Sequence, residues 1–301
     1  MLHPQSAALA AAADGPGPGD EGFDLAAARR AMSGDAPPPV PGDAVALVAD
    51  VDADGVRCRL YRPREGAPVL VHVHGGGWVV GDLESHDAVC RSLAARSGCA
   101  VLAVDYRLAP EHPWPAALED VEAAVAWLRR EGRAHGVDPG RLALTGDSAG
   151  GGLVAALALR ARDAGGPTYA LQVLVYPVLD ARRGGASYAQ EGNGALRPAE
   201  MAWYWDAYAP PGVDRARPDV SPSAAADLAG LPPALVLSAE HDVLRDEAED
   251  YAARLALAGV PVAATRWLGT AHGFFRRPAT MDAASAAVDQ VAAAVRRALG
   301  A

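Results

Sequence analysis

The chain has 301 residues, 50% of them hydrophobic, with 3 cysteines, 27 basic and 37 acidic side chains, and a formal net charge of -10. That length can bury a core without crosslinks, and an odd cysteine count without CxxC spacing argues against a disulfide framework or a zinc site. An acidic chain lacks the basic face that nucleic acid demands. Every basic side chain is Arg, no secretory-type basic segment opens the chain, and no apolar run reaches the roughly 18 residues of a membrane span. The composition therefore predicts a soluble, cytoplasmic protein.

Residues 1 to about 20 join Ala repeats to a Gly-Pro run at 15–18 that cannot continue a helix, and this stretch is expected to dock only loosely. A helical pattern follows at Asp24 to Met32. Ala44 to Val51 and Val56 to Tyr61, joined at Asp52-Ala53-Asp54-Gly55, read as a β-hairpin. From Pro68 the pattern changes to short apolar runs separated by helix-length segments. The runs are Val69 to Val73, Ala100 to Val104, Leu142 to Thr145, Leu171 to Val175, Ala234 to Ser238 and Val260 to Arg266. Apolar on both faces, they predict parallel strands buried between helices. The helices are expected at Ser85 to Ser97, Ala116 to Arg133, Gly150 to Ala164, Arg245 to Ala258 and Met281 to Leu299. Between Pro177 and Pro233 the rhythm fails: a Gly-rich polar stretch, the aromatic cluster Trp203, Tyr204, Trp205 and Tyr208, and a Pro-rich stretch replace it. An insertion of this size is usually a functional loop or lid.

Gly146-Asp147-Ser148-Ala149-Gly150 lies between a strand and a helix. There a G-x-S-x-G pentapeptide forms a nucleophile elbow, with the Ser hydroxyl held up on a strained turn. Small residues at 146 and 150 let the helix approach the sheet. Acyl transfer by Ser also needs a base, a carboxylate to orient it, and N–H donors for the developing oxyanion. Asp242 follows one later strand and His272 follows another, in the chain order Ser, Asp, His. His74-Gly75-Gly76-Gly77-Trp78 ends the strand Val69 to Val73, where a glycine loop can turn free N–H groups toward a carbonyl.

Taken together, HGGGW at 74–78, DYRLAPEHPWPAALED at 105–120, GDSAG at 146–150, AEHDVLRDEA at 239–248 and AHGF at 271–274 resemble the hormone-sensitive-lipase-like family of α/β-hydrolases. The resemblance runs from about Ala44 to the C-terminus. It implies an α/β fold, with a mostly parallel, doubly wound sheet of about eight strands. The catalytic domain would span 44–301, under a small helical cap built from residues 1–43 and an insertion at about 180–225. It further implies Ser148 as nucleophile, His272 as base, Asp242 as orienting acid, and Gly76, Gly77 and Ala149 as oxyanion donors. The activity implied is that of a serine carboxylesterase acting on short- to medium-chain acyl esters of small molecules. No metal or organic cofactor is implied, and a homodimer through the last edge strand is compatible with the family.

The chain departs from the family at Val243, where Pro is usual after the acid. Glu240, Asp246 and Glu247 compete with Asp242 for the acid's place, as solvated charges or helix-start carboxylates. His74, Asp105, Glu111, His112 and Asp147 are expected to brace loops around the site. The aromatic cluster either packs a helix or lines an acyl pocket, and Trp203, Tyr204 and Trp78 are the candidates for substrate contact. Two other activities use the same scaffold. One is deacetylation or amide hydrolysis by the same triad, and the other is ligand binding without catalysis, against which the presence of His272 argues.

Overall fold

The computed structural model describes residues 1–11, 16–33, 42–189 and 195–301. In chain order the elements are α1 (Pro4–Ala11), α2 (Leu25–Ser33), β1 (Leu47–Ala53), β2 (Val56–Arg62), β3 (Ala67–Val73), α3 (Asp87–Ser97), β4 (Ala100–Val104) and α4 (Ala116–Glu131). They continue with β5 (Val137–Asp147), α5 (Ala149–Asp163), β6 (Gln172–Val175), α6 (Pro198–Tyr208), β7 (Ala234–His241), α7 (Arg245–Leu257), β8 (Val262–Ala271) and α8 (Asp282–Leu299). The strands form one 8-stranded sheet in the order β1-β2-β4-β3-β5-β6-β7-β8. Strand β2 is antiparallel to both neighbours, whereas β4 through β8 run parallel.

Successive side chains of a strand point to opposite faces, and the central strands use this to bury two cores. Val69, Val71 and Val73 of β3 face α4 and α5 in a cluster with Leu118, Val121, Leu153 and Leu157. Leu70 of β3, with Val101 and Ala103 of β4, faces α3 and α8 in a second cluster with Leu93, Val288 and Val291. The chain leaves β3 to build β4 on one side and returns to build β5 on the other. This reversal opens a crevice beyond the carboxyl ends of β3 and β5, where open α/β sheets hold ligands.

Several elements depart from the sequence expectation. The hairpin turns on two residues only, Asp54 at φ 57° and Gly55 at φ 90°, with Ala53 paired to Val56. Such left-handed pairs match the twist of the flanking strands, and Asp-Gly supplies them cheaply. Strand β8 runs on to Ala271, so it delivers His272 directly at its end. It is also not buried on both faces: it is the sheet's edge, and Leu268 on it is exposed. The first residues are not loosely docked throughout, because α1 is tied to the sheet edge by His3 N–H donating to Gly269 O at 2.9 Å, with Ser6 buried. Residues 12–15 of that stretch, 34–41 of the N-terminal cap segment and 190–194 of the insertion lie outside the described residues. The aromatic cluster of the insertion forms α6, with Trp205 and Tyr208 buried. No helix among the described residues is long and apolar enough to cross a membrane.

Candidate active site

Strand β5 and helix α5 meet at Ser148, whose backbone sits at φ 55°, ψ -122°. Non-glycine residues reach such angles only when the surroundings force them. Here the forcing is steric: a Cβ on Gly146 would run into the backbone of Gly150, and one on Gly150 into the carbonyls of Val73 and His74. Ser148 N–H donates to Val175 O at 2.9 Å, pinning the turn to the neighbouring strand.

Three strand ends bring the polar side chains together. His272 Nε2 lies 3.0 Å from Ser148 Oγ, and His272 Nδ1 lies 2.7 Å from Asp242 Oδ2. Asp242 is buried, and its other oxygen accepts the Leu244 N–H at 3.0 Å. A carboxylate placed so fixes the imidazole with Nδ1 protonated and Nε2 free to accept. The competing acids are engaged elsewhere. Glu240 accepts Gly269 N–H, Asp246 accepts Ser187 N–H, and Glu247 accepts Leu179 N–H at 2.7 Å inside the core. Val243, where the family has Pro, is buried, and its carbonyl accepts the Ser187 hydroxyl at 2.6 Å without displacing the acid.

The glycine loop completes the arrangement. Gly76 and Gly77 adopt φ 127° and 60°, and side chains there would strike the Val80 carbonyl and the Tyr204 ring respectively. Among the described residues no acceptor takes their N–H groups, and Ala149, first in α5, has no helical acceptor for its own. The loop is held from below. Asp147 Oδ1 accepts Gly75 N–H at 3.0 Å and lies 3.2 Å from His86 Nε2, while Tyr106 donates its hydroxyl to the His74 carbonyl at 2.9 Å. Burial alone would raise the Asp147 carboxyl, but His86 beside it, with His72 and Arg276 further off, holds it well below the usual range. Burial lowers His74 to about 4 and His72 to about 3, so both rings are neutral.

His72, His86 and Asp147 are the one group of buried potential metal ligands among the described residues, their atoms lying within 4.8 Å of one another. Asp147 Oδ1 already accepts Gly75 N–H and lies against His86 Nε2, so the group reads as the buried support of the loop. His74 acts as expected, its Nδ1 lying 2.9 Å from Gly75 O. Glu111 pairs with Arg29 of α2 at 2.7 Å, and Arg29 also donates to the carbonyls of Val79 and Ala109, strapping α2 over the end of the glycine loop. Asp105 is raised by burial to about 6, 3.7 Å from Arg57, and His112 is exposed.

Ser148, His272, Gly76 and Gly77 open onto a cleft of about 220 Å³, walled by Met32 of α2 and by Leu196, Met201 and Tyr204 beside or on α6. Tyr204 thus stands where a substrate contact was expected. Trp78 does not: it is fully buried, stacked on Tyr208 at 4.1 Å and packed against Trp205 at 4.8 Å. Trp203 packs edge-on against Phe23 at 5.3 Å, outside the cleft lining. The reason is helical geometry, since 204 and 203 leave α6 about 100° apart. A larger hollow of about 530 Å³ lies between α7 and β8, but it contains none of these groups. Met32, Glu200 and Arg276 also line the cleft. No spacing in the sequence marks them, and neither does it mark His86 as the partner of Asp147.

Comparison with known proteins agrees with this architecture. A family model described as alpha/beta hydrolase fold matches residues 70–276. The chain is 40% identical over 248 residues to carboxylesterase NlhH of Mycobacterium tuberculosis, covering 80% of this chain and 78% of that protein. It is 38% identical to an ethyl acetate hydrolase of Pseudomonas putida, over 82% of this chain and 80% of the relative. Among solved structures it is similar to an ester-hydrolase from the metagenome of Lake Arreo, complexed with a derivative of bipyridine phosphonate. That match has TM-score 0.89 and 39% identity, and covers 100% of both chains.

Proposed function

The chain belongs to the hormone-sensitive-lipase-like family of α/β-hydrolases, and from that premise we propose that it is a serine carboxylesterase working through Ser148, His272 and Asp242. The observation that carries the reading is the unbroken series of contacts from Asp242 Oδ2 through the His272 ring to Ser148 Oγ, at 2.7 and 3.0 Å. Ser148 Oγ attacks the ester carbonyl while its proton passes to His272 Nε2. Asp242 stabilises the imidazolium, and the N–H groups of Gly76, Gly77 and Ala149 receive the oxyanion. Collapse of the tetrahedral intermediate releases the alcohol with the proton from His272. Water then gives a proton to the same nitrogen as it attacks the acyl-enzyme, and when the second tetrahedral intermediate breaks its bond to Ser148 Oγ, His272 returns that proton to Oγ and the acid is freed.

The small cleft under α2 and α6 supports short or medium acyl chains, since its roughly 220 Å³ is below the usual range for drug-sized ligands. The same two helices support a cap formed by residues 1–43 and about 180–225. Three free, buried cysteines support a reducing, cytoplasmic setting. The edge position of β8, which α1 engages at Gly269, supports a homodimer through the rest of that strand.

The deciding experiment is hydrolysis of p-nitrophenyl butyrate beside its matching amide, followed by labelling with a phosphonate. Burst labelling of Ser148 alone, and loss of about four to six orders of magnitude in turnover in Ser148→Ala, are expected. Substantial turnover by that variant refutes the mechanism.

A further inference from the structure

Arg276 lies four residues beyond His272 and lines the same cleft as Ser148. Its guanidinium lies over the turn after the imidazole, Nη2 being 3.8 Å from the position a Cβ on Gly273 would take. The hydrogen bond it makes among the described residues is from Nη1 to the Met32 sulfur at 3.1 Å. A thioether is a weak acceptor and leaves a guanidinium's charge uncompensated. No carboxylate of the described residues comes within ion-pair distance of it, although the buried Asp147 carboxylate, which also lines the cleft, lies near enough to feel its charge.

Arginines on α2 and beside α6 are matched, by contrast. Arg29 holds Glu111, Arg197 holds Asp20, and Arg215 holds Asp206, at 2.7, 2.6 and 2.7 Å. Glu200, which also lines the cleft, is engaged: one of its oxygens accepts Arg197 N–H at 2.7 Å and the other lies 3.4 Å from the Arg197 guanidinium. Among the described residues the cleft therefore presents one half-buried cation without a carboxylate in ion-pair contact, beside Ser148 and His272, with apolar walls from Met32, Met201 and Tyr204. Arginine presents a planar fork of N–H donors that fits a carboxylate with two parallel bonds, and low solvent access strengthens such a pair.

We propose that Arg276 is a specificity-determining residue that binds a carboxylate carried by the ester substrate, so that the preferred substrates are anionic esters rather than neutral ones. The inference rests on the esterase reading and adds the substrate's charge to it. The carboxylate belongs either to the acyl chain or to the alcohol, and paired substrates separate these sources.

The test compares kcat/KM, by pH-stat, for mono-p-nitrophenyl glutarate against p-nitrophenyl valerate, and for 4-acetoxybenzoate against p-tolyl acetate. The wild type and the variants Arg276→Gln and Arg276→Lys are used. In Arg276→Gln the anionic-to-neutral ratio is expected to fall about tenfold in one pair, which identifies the carboxylate's side, with Arg276→Lys in between. In the wild type the same ratio should fall as salt rises from low to about 0.5 M, a readout that needs no variant. Ratios that respond to neither substitution nor salt, in both pairs, overturn the assignment while leaving the esterase reading intact. Failure of the wild type to cleave any of the four esters overturns the esterase reading, and this inference with it.

Discussion

Gly75 N–H donates to Asp147 Oδ1 at 3.0 Å, joining the glycine loop to the residue that precedes Ser148. The two halves of the site are thus held in register by one buried carboxylate, which His86 supports from the other side at 3.2 Å. Displacements of about 1 Å in such a site can cost about a hundredfold in rate. Asp147→Ala is therefore expected to lower kcat by about 10²-fold with KM little changed, and to lower the melting temperature because His86 and Gly75 lose their buried partner. Steady-state kinetics with a neutral ester check this. A kcat within threefold of wild type would mean that the loop holds its shape unaided.

At Ser148 the backbone angles favour glycine, and a side chain there costs about 1–3 kcal/mol. Ser148→Gly and Ser148→Ala should both be inactive, but they should differ in stability. The glycine variant relaxes the strain and is expected to melt about 2 °C or more above the alanine variant. At an ordinary helix N-cap glycine already surpasses alanine by up to about 1 kcal/mol, so the strain is read in the excess over that difference. Calorimetry of the two proteins decides it, and equal melting temperatures would show that the elbow stores no strain.

His72 is wholly buried, and neither ring nitrogen has a partner among the described residues. Burial, reinforced by His86, lowers its pKa to about 3, against about 6.5 in the unfolded chain. Between these values the unfolded state takes up a proton that the folded state refuses. Stability therefore falls on acidification from about pH 6.5 toward 3, by up to about 1.4 kcal/mol per pH unit. His74, lowered to about 4, acts in the same direction. Glu247, raised by burial, acts oppositely, favouring the fold at low pH and losing that contribution as pH rises. Subtracting His72→Phe isolates the first term. The variant's melting temperature is expected to exceed the wild type's by more at pH 5 than at pH 8, and a constant difference across that range would contradict a buried neutral ring.

The parts of this site that could be read from sequence are those in which chemistry and backbone constraint coincide within a few residues. The glycine loop at 74–78 and the elbow at 146–150 are of this kind, since each glycine is required by a close neighbour, backbone at 75, 76, 146 and 150 and the Tyr204 ring at 77. Asp242 and His272 could be placed because each ends a strand, although β8 proved longer than its apolar stretch. At that edge one face is open to solvent, so apolar runs no longer mark the strand's limits. Trp78, Trp203 and Arg276 illustrate what stayed hidden. A tryptophan beside a glycine loop packs inward or outward according to the helix that comes over it, and here α6 supplied Trp205 and Tyr208 as its partners. The significance of Arg276 lies in the lack, among the described residues, of a carboxylate in ion-pair contact with it, which depends on where the acidic side chains of the chain fold.

Tyr204 and Trp78 offer a direct test of which aromatic ring a substrate meets. The Tyr204 ring lies so close to Gly77 that a Cβ there would strike it, and it walls the cleft above Ser148. Removing it in Tyr204→Ala opens room beside the glycine loop for additional acyl carbons, each buried methylene being worth about 0.8 kcal/mol, or about fourfold in kcat/KM. The ratio of kcat/KM for p-nitrophenyl octanoate to that for the acetate is then expected to rise about tenfold. Trp78, sealed between Tyr208 and Trp205, meets no part of the cleft. Trp78→Phe should lower the melting temperature through lost packing yet leave the octanoate-to-acetate ratio within about twofold. If Trp78→Phe shifted that ratio as far as Tyr204→Ala does, the acyl chain would have to run beneath α6 toward Tyr208, and the cleft beside Tyr204 would be the path of the alcohol instead.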